Sequence, residues 1–216
     1  MKRLFLLFLP FLLFITSTFV ACEEVEEPSI YDNWQQLNEA FADSIKTLTG
    51  DNYVATLEQA DNMELGKLYA ISTPDGEYIY CRKLVENKEG ERPMYSGYHS
   101  RVTMNICNSF ITGSYAFKTF EGYGALDQEI PLPPLKEPTP FNSPISFAVT
   151  DSRYAIGGTW PIQYMRTGER WIIYVPWQAW GGSSDYSPIT DNKKLIQTIT
   201  AYSTVTSDLI LEKVME

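Results

Sequence analysis

The 216-residue chain carries one histidine, His99, and three cysteines, Cys22, Cys81 and Cys107. A single imidazole excludes a histidine-rich metal site, and a Ser-His-Asp relay would have to run through His99, which lies between Tyr98 and Ser100 and reads as an exposed residue at a strand start. Gly181-Gly182-Ser183-Ser184 lacks the G-x-S-x-G spacing that places a nucleophilic serine on a strained strand-to-helix turn. Gly122-Tyr123-Gly124 by itself is no phosphate cradle. Glu121, Asp127, Glu129, Asp151, Asp185 and Asp191 fall in or near loops, and nothing in their spacing sets two carboxylates at working distance, so they read as solvated charge. Trp160, Trp177 and Trp180 crowd into one stretch and by themselves read as core and rim aromatics, and no pattern in the sequence calls for a cofactor.

Cys22 has a different setting. Lys2 and Arg3 precede an apolar run from Leu4 to Ile15 and the short residues Thr16, Ser17 and Thr18, the layout of a signal peptide. The run falls short of the roughly 20 apolar residues that cross a bilayer. Phe19-Val20-Ala21-Cys22 resembles a lipobox, with Phe19 where leucine is usual. The expectation is cleavage after Ala21 and lipid on Cys22, giving an outer-membrane lipoprotein, periplasmic or surface-exposed, that touches the membrane only through its acyl chains. The acidic stretch Glu23-Glu24-Val25-Glu26-Glu27 opens a tether over 22–31. Loss of residues 1–21 takes the formal charge from -10 to -12, which argues against nucleic acid, whose phosphates need clustered Lys and Arg. Cys81 and Cys107 belong to a compartment where disulfides persist, yet both fall in strand-like stretches where cysteine packs as a small apolar residue; pairing and burial both stay open.

The elements that would position these groups follow from periodicity. Trp34, Leu37, Phe41, Ile45 and Leu48 recur at three and four and predict a helix over Asn33 to Thr49, with Asp32 as cap, Gln35 three residues on and Gly50 as stop. A second short helix is expected around Ala55 to Gln59. Thr73-Pro74-Asp75-Gly76 reads as a turn, and strands are predicted over Tyr78–Leu84, Arg101–Ile111, Tyr115–Phe120, Ile145–Val149, Trp171–Val175 and Thr204–Val214. Between them, Gly122 to Pro144 holds Pro131, Pro133, Pro134, Pro138, Pro140 and Pro144, too many for a ladder, and predicts a long surface excursion. Pro131-Leu132-Pro133-Pro134 would also suit an aromatic groove on a partner. Gly181 to Lys194 reads as a loop, and Thr159 to Arg166 as a short helix with Pro161 in its first turn and Gly168 beyond its end. One short helix against an antiparallel sheet is an α+β layout.

In their order these parts resemble an FKBP-type peptidyl-prolyl isomerase, from roughly Tyr78 to Val214. Ala155-Ile156-Gly157-Gly158, Met165-Arg166-Thr167-Gly168-Glu169-Arg170-Trp171 and Tyr174-Val175-Pro176 are similar to the family's V-I-x-G-W, M-x-x-G-E/D-x-W and Y-I-P run. Ile199 to Val205 and Leu211 to Val214 are similar to its I-P-x-x-S/T-x-L and last strand, and Val102 to Gly113 to its V-x-H-Y-x-G-x-L-x-D-G. Phe120-Glu121 resembles the Phe-Asp pair that follows, with Phe117-Lys118 as the other register. The resemblance implies an FKBP-like antiparallel sheet wrapped on one short helix, preceded by an N-terminal helical segment, with parts at 1–21, 22–31, 32–72 and 73–216 and the proline-rich insertion at 122–144.

It also implies a site without metal or nucleophile, in which a dry aromatic pocket holds a twisted prolyl amide against a rotational barrier of about 18–20 kcal/mol. The residues it selects are Phe120, Glu121, Ile156, Trp160, Trp180 and Tyr202. The chain departs from the family on the walls of that pocket. Ile106 stands for the strand tyrosine, Asn105 for its histidine neighbour and Ser207 for the aromatic of the last strand. Gly158 stands for the floor tryptophan, two residues from Trp160, and Thr200 for the proline of I-P. Three readings follow: an envelope lipoprotein that binds peptides or assists folding with weak or lost isomerase activity; an isomerase with a remodelled aromatic pocket; and a structural subunit of a surface assembly. The implied partner is a proline-containing polypeptide or another envelope protein.

Overall fold

The computed structural model describes residues 29, 31–94, 100–127, 129–130, 133–151, 156, 158–188 and 197–215. The stretch 1–21 expected to be a signal peptide, Cys22, most of the expected tether over 22–31 and His99 lie outside them. The chain divides into a unit over 1–32 and a unit over 33–216. In the first, the Ser29 N–H donates to Asp32 Oδ2 at 2.9 Å.

The second unit begins with α1 (Trp34–Thr49), capped not by Asp32 but by Asn33, which adopts left-handed φ 57° without a side-chain cap bond and is one of the few non-glycine types that tolerate this region. Gly50 ends the helix as expected. Its buried stripe differs from the apolar one: Trp34, Asn38, Ile45 and Thr49 face inward, while Leu37 and Leu48 are 50% and 69% exposed. Asn38 and Thr49 bear burial because their side chains donate to the Trp34 and Ile45 carbonyls at 2.9 and 2.8 Å.

Next come β1 (Tyr53–Val54), α2 (Leu57–Asp61) with a Thr56/Gln59 capping box, and β2 (Leu68–Ser72). The Thr73–Gly76 turn leads to β3 (Tyr78–Val85), followed by β4 (Arg101–Ser109), β5 (Tyr115–Lys118), β6 (Ile145–Ala148), α3 (Thr159–Ile162), β7 (Arg170–Val175), α4 (Trp177–Trp180) and β8 (Val205–Met215). The strands form one sheet in the order β1-β2-β3-β7-β8-β4-β5, with β6 also on β4, antiparallel except for β1 beside β2. The α+β class is as expected. The stretch 32–72, read from sequence as a helical segment ahead of the domain, contributes two strands to this same sheet, so only part of it is helical. Among the described residues no helix is long and apolar enough to cross a membrane.

Alternation along β7 divides the core between two faces. Trp171, Ile173 and Val175 lie on one, with Ile71, Ile79, Cys81, Met104, Ile106, Leu209 and Leu211, and are covered by Ala60, Met63, Ile162 and Met165. Ile172 and Tyr174 lie on the other with Leu68, Ala70 and Tyr80, covered by Phe41 and Ile45 of α1 and by Tyr123, Ile130 and Leu135 of the proline-rich excursion. The excursion therefore runs over the surface as predicted, and it also buries a sheet face.

Glu169, Arg170 and Trp171 are each about 1% exposed or less, and the pleat sends their side chains to alternate faces. On the Trp171 face, Glu169 pairs with Lys83 at 2.8 Å and accepts from Trp171 Nε1 and the Arg166 N–H at 3.0 Å, while Lys83 also donates to the Ala60 carbonyl at 2.7 Å. On the opposite face, Arg170 grips Asp208 through Nε at 2.9 Å and Nη2 at 2.6 Å. Its Nη1 donates to the Lys136 carbonyl, and its guanidinium stacks on Phe120 and Tyr123 at 5.3 and 5.1 Å. Burial pushes the Asp208 carboxyl up, against the pull of Arg170 and of the Tyr123 N–H that donates to it at 2.8 Å.

Both core cysteines are free and buried. Cys81 pairs across to Ile173, Ile173 to Ser207, and Ser207 to Asn108, the neighbour of Cys107. Three strand spacings, roughly 14 Å, separate the thiols, which also face opposite ways, beyond the ~7 Å Cα limit for a bridge. Burial raises both thiol pKa values, that of Cys107 to about 11.

Two outcomes follow. Arg170→Met should cost about 3–5 kcal/mol of unfolding free energy, because it strands a buried carboxylate, as read from urea denaturation. Asp61, hydrogen-bonded by Arg166 at 2.7 and 2.9 Å and by Arg92 at 2.6 Å, is held well below the usual carboxylate range, with Arg166 the larger cause. Its stabilisation is complete above the unfolded value of about 3.9 and is lost as pH falls below it. Asp61→Asn should therefore show a shallower loss of stability than the parent between about pH 5 and pH 3.

Candidate functional site

The Trp171 face has one end at which β2 finishes (Ser72), β3 begins (Tyr78), β7 finishes (Val175) and β8 begins (Val205). Short helices α3 and α4 close over this end and carry Trp160 and Trp180. Both indoles pack against the same buried cluster, so they share a face. Each is held by a backbone carbonyl: Trp160 Nε1 donates to Ser72 O at 2.8 Å, and Trp180 Nε1 to Ser203 O at 2.9 Å. Ser72 ends β2 and Ser203 lies just before β8, and these two strands are three positions apart, roughly 14 Å. That interval matches about four residues of extended peptide better than a single ring.

Aromatic neighbours fix the two indoles further. Trp160 meets Tyr164 edge-on at 6.4 Å, and Trp180 lies tilted on Tyr186 at 6.4 Å. A Cβ on Gly182 would come within 2.2 Å of the Trp180 ring, so only glycine admits this close approach. Tyr202 adopts left-handed φ 62°, donates its N–H to Gly182 O at 2.6 Å and sets its ring edge-on to Trp177 at 5.1 Å. Trp160, Trp177, Trp180 and Tyr202 are all partly exposed, and they form an aromatic margin.

Ile156 is only 1% exposed and sits in a cluster with Trp34, Phe110, Ala116, Ile199 and Val205, which Trp180 also touches. Four of the six sequence-selected residues thus lie at or near one end of one face. Phe120 and Glu121 do not. Phe120 packs under the Arg170 guanidinium on the opposite face, and Glu121 points to solvent, paired with Lys118. Of the two phenylalanines in question, Phe117 is the one that reaches the Trp171 face, packed at the margin of its cluster. Phe117 pairs with Asn108, whose side of β4 is the Trp171 face, and strand alternation puts Phe120, three residues on, on the other one.

Two of the substituted wall positions, Ile106 and Ser207, are closed. Both are 0% exposed, and they occupy the same face through the pairs Ile106–Leu209 and Asn108–Ser207. The Ser207 hydroxyl has no hydrogen-bond partner, which costs about 1–3 kcal/mol of uncompensated desolvation.

No family model matches the chain, and no curated protein matches it. Among solved structures it is similar to the three FKBP domains of wheat FKBP73, with TM-score 0.42 and 20% identity over 66% of this chain and 48% of that one. A peptidyl-prolyl cis-trans isomerase from Pseudomonas syringae pv. tomato gives TM-score 0.43 and 14% identity over 83% and 96%. FkpA from Escherichia coli gives 0.42 and 17% over 93% and 78%. The chain spans about half the length of the wheat protein's chain. These structural neighbours are FKBP-type proteins; at such scores and identities the likeness fixes no activity for this chain.

Sequence reasoning missed two contributors to this end of the sheet. Trp34 and Asn38 of α1 reach Ser203 and Thr204 from 169 and 166 residues away; a polar residue inside an apolar stripe was the available signal. For the closed wall, Ser207→Ala should leave the unfolding free energy unchanged or raise it by up to about 1 kcal/mol. Ser207→Phe, which restores an aromatic where space is already filled, should lower it by about 1–3 kcal/mol. Both are read by thermal and urea unfolding.

Proposed function

We propose that this domain is a polypeptide-binding module of a lipid-anchored envelope protein, taking an extended, proline-containing segment along the margin formed by Trp160, Trp177, Trp180 and Tyr202, with prolyl isomerase activity weak or lost. The observation that carries the reading is a contrast in burial. Ile106, Ser207 and Ile156, where a pocket would have to open, are 1% exposed or less, while the aromatic margin beside them stays partly exposed. An isomerase has to enclose the twisted amide and exclude water around it; a half-open rim stacks on side chains without that enclosure. Aromatic contacts of this kind contribute about 0.5–1.5 kcal/mol each beyond their buried area, which suits reversible capture of unfolded chain.

Phe120 and Glu121 have no part in this site, and the ligand-facing roles pass to Trp160, Trp177, Trp180 and Tyr202. The anchor part of the proposal rests on Cys22 following Phe19-Val20-Ala21. Cys22→Ala should abolish palmitate labelling and leave an uncleaved precursor.

The test titrates the purified protein with a permanently unfolded, proline-rich polypeptide, following tryptophan fluorescence, and in parallel adds it to a refolding reaction limited by a proline step. Saturable binding that weakens by roughly ten-fold in Trp180→Ala and in Trp160→Ala, with no acceleration of refolding, is expected. Acceleration abolished by Trp160→Ala would establish a remodelled isomerase instead. Failure to bind at high concentration would leave a structural subunit.

A further inference from the structure

Residues 203 and 204 form a junction between α1 and the aromatic margin. On one side, Asn38 Oδ1 accepts from the Thr204 N–H at 2.7 Å, Thr204 Oγ1 donates to the Asn38 carbonyl at 3.2 Å, and Trp34 Nε1 donates to Ser203 Oγ at 3.2 Å. Ser203 Oγ donates onward to the Thr200 carbonyl at 2.6 Å. On the other side, the Ser203 carbonyl accepts from Trp180 Nε1 at 2.9 Å. The amide plane that α1 holds through the Thr204 N–H is the same plane whose carbonyl holds the Trp180 indole. Because a peptide unit is rigid, tilting one end tilts the other.

Asn38 is fully buried, in a stripe whose other large inward residues are Trp34 and Ile45. Packing alone would be served by leucine at this position. What asparagine adds is an acceptor for Thr204 and a donor, Nδ2, for the Trp34 carbonyl, a pairing that neither leucine nor aspartate reproduces. Trp177 ties the same helix to the margin a second time through Glu39 at 3.3 Å. The preceding residue, Tyr202, holds left-handed backbone without being glycine, a state that persists only where the surroundings over-determine it.

We infer that Asn38, seconded by Trp34, is a positioning residue for Trp180, so that α1 sets the geometry, and with it the affinity, of the polypeptide-binding margin. The affinity part rests on the function proposed above; the orientation part does not.

The experiment records the indole N–H resonances of the full protein, assigned by single Trp→Phe variants, for Asn38→Leu and Trp34→Phe. Trp34→Phe keeps an aromatic side chain while removing the indole N–H together with its five-membered ring, and it stands in should Asn38→Leu fail to fold. In a variant with native far-ultraviolet circular dichroism, the Trp180 resonance should move and its indole hydrogen should exchange at least about ten-fold faster, as expected for loss of one buried hydrogen bond. The Trp160 and Trp171 resonances should stay in place. Asn38→Leu should also weaken polypeptide binding, and the double variant with Trp180→Ala should bind no worse than Trp180→Ala alone. An unmoved Trp180 resonance in the folded variants, or additive losses in binding, would overturn the inference. If no variant nor the parent binds polypeptide, the proposed function falls while the indole spectra still decide whether α1 positions Trp180.

Discussion

The Arg170–Asp208 pair sits at the middle of the sheet, on neighbouring central strands, and both residues are essentially sealed from water. Two desolvated charges cost several kcal/mol apiece unless every hydrogen-bonding position is used. Here they are used: Asp208 receives Nε, Nη2 and the Tyr123 N–H, and Arg170 gives its last arm to the Lys136 carbonyl. Satisfying the pair therefore recruits both ends of the first half of the proline-rich excursion. That excursion and α1 then dry the Arg170 face, and a sheet dry on that face commits its opposite one to the short helices.

From this follows the arrangement at the aromatic end. With α1 needed as a cover for Tyr80 and Tyr174, its N-terminal turn is carried round the end of the sheet, where Trp34 enters the cluster of Ile156 and Val205. The helix is a structural layer of the domain and a wall of its aromatic margin at once, which is why a change in α1 reaches Trp180 through one peptide plane. The Glu169–Lys83 pair performs the corresponding task on the other face, locking the turn that leads from α3 into β7.

How much of this was legible beforehand depends on the kind of interaction. Trp171 through Val175 reads as a strand because branched and aromatic residues fill it, and Gly76 and Gly168 read as a turn and a helix stop, positions where the structure indeed gives them φ 87° and 81°. β2 was missed since Leu68-Tyr69-Ala70-Ile71-Ser72 is short and lacks alternation when both faces are buried. Phe120 was chosen over Phe117 because Glu121 resembles the acid of the family's Phe-Asp pair better than Lys118 does, and only the pairing of Phe117 with Asn108 shows which phenylalanine shares the face of Trp171.

The α+β class, the position of most strands and the length of α1 are legible in local periodicity and composition. That Cys81 and Cys107 face away from each other, that Glu169 and Arg170 find Lys83 and Asp208, and that Asn38 meets Thr204 emerge once the chain is folded. Those outcomes depend on strand order and on a single-residue register. A slip of one residue sends every side chain to the other face, and no local pattern records which partner strand will be there to receive it.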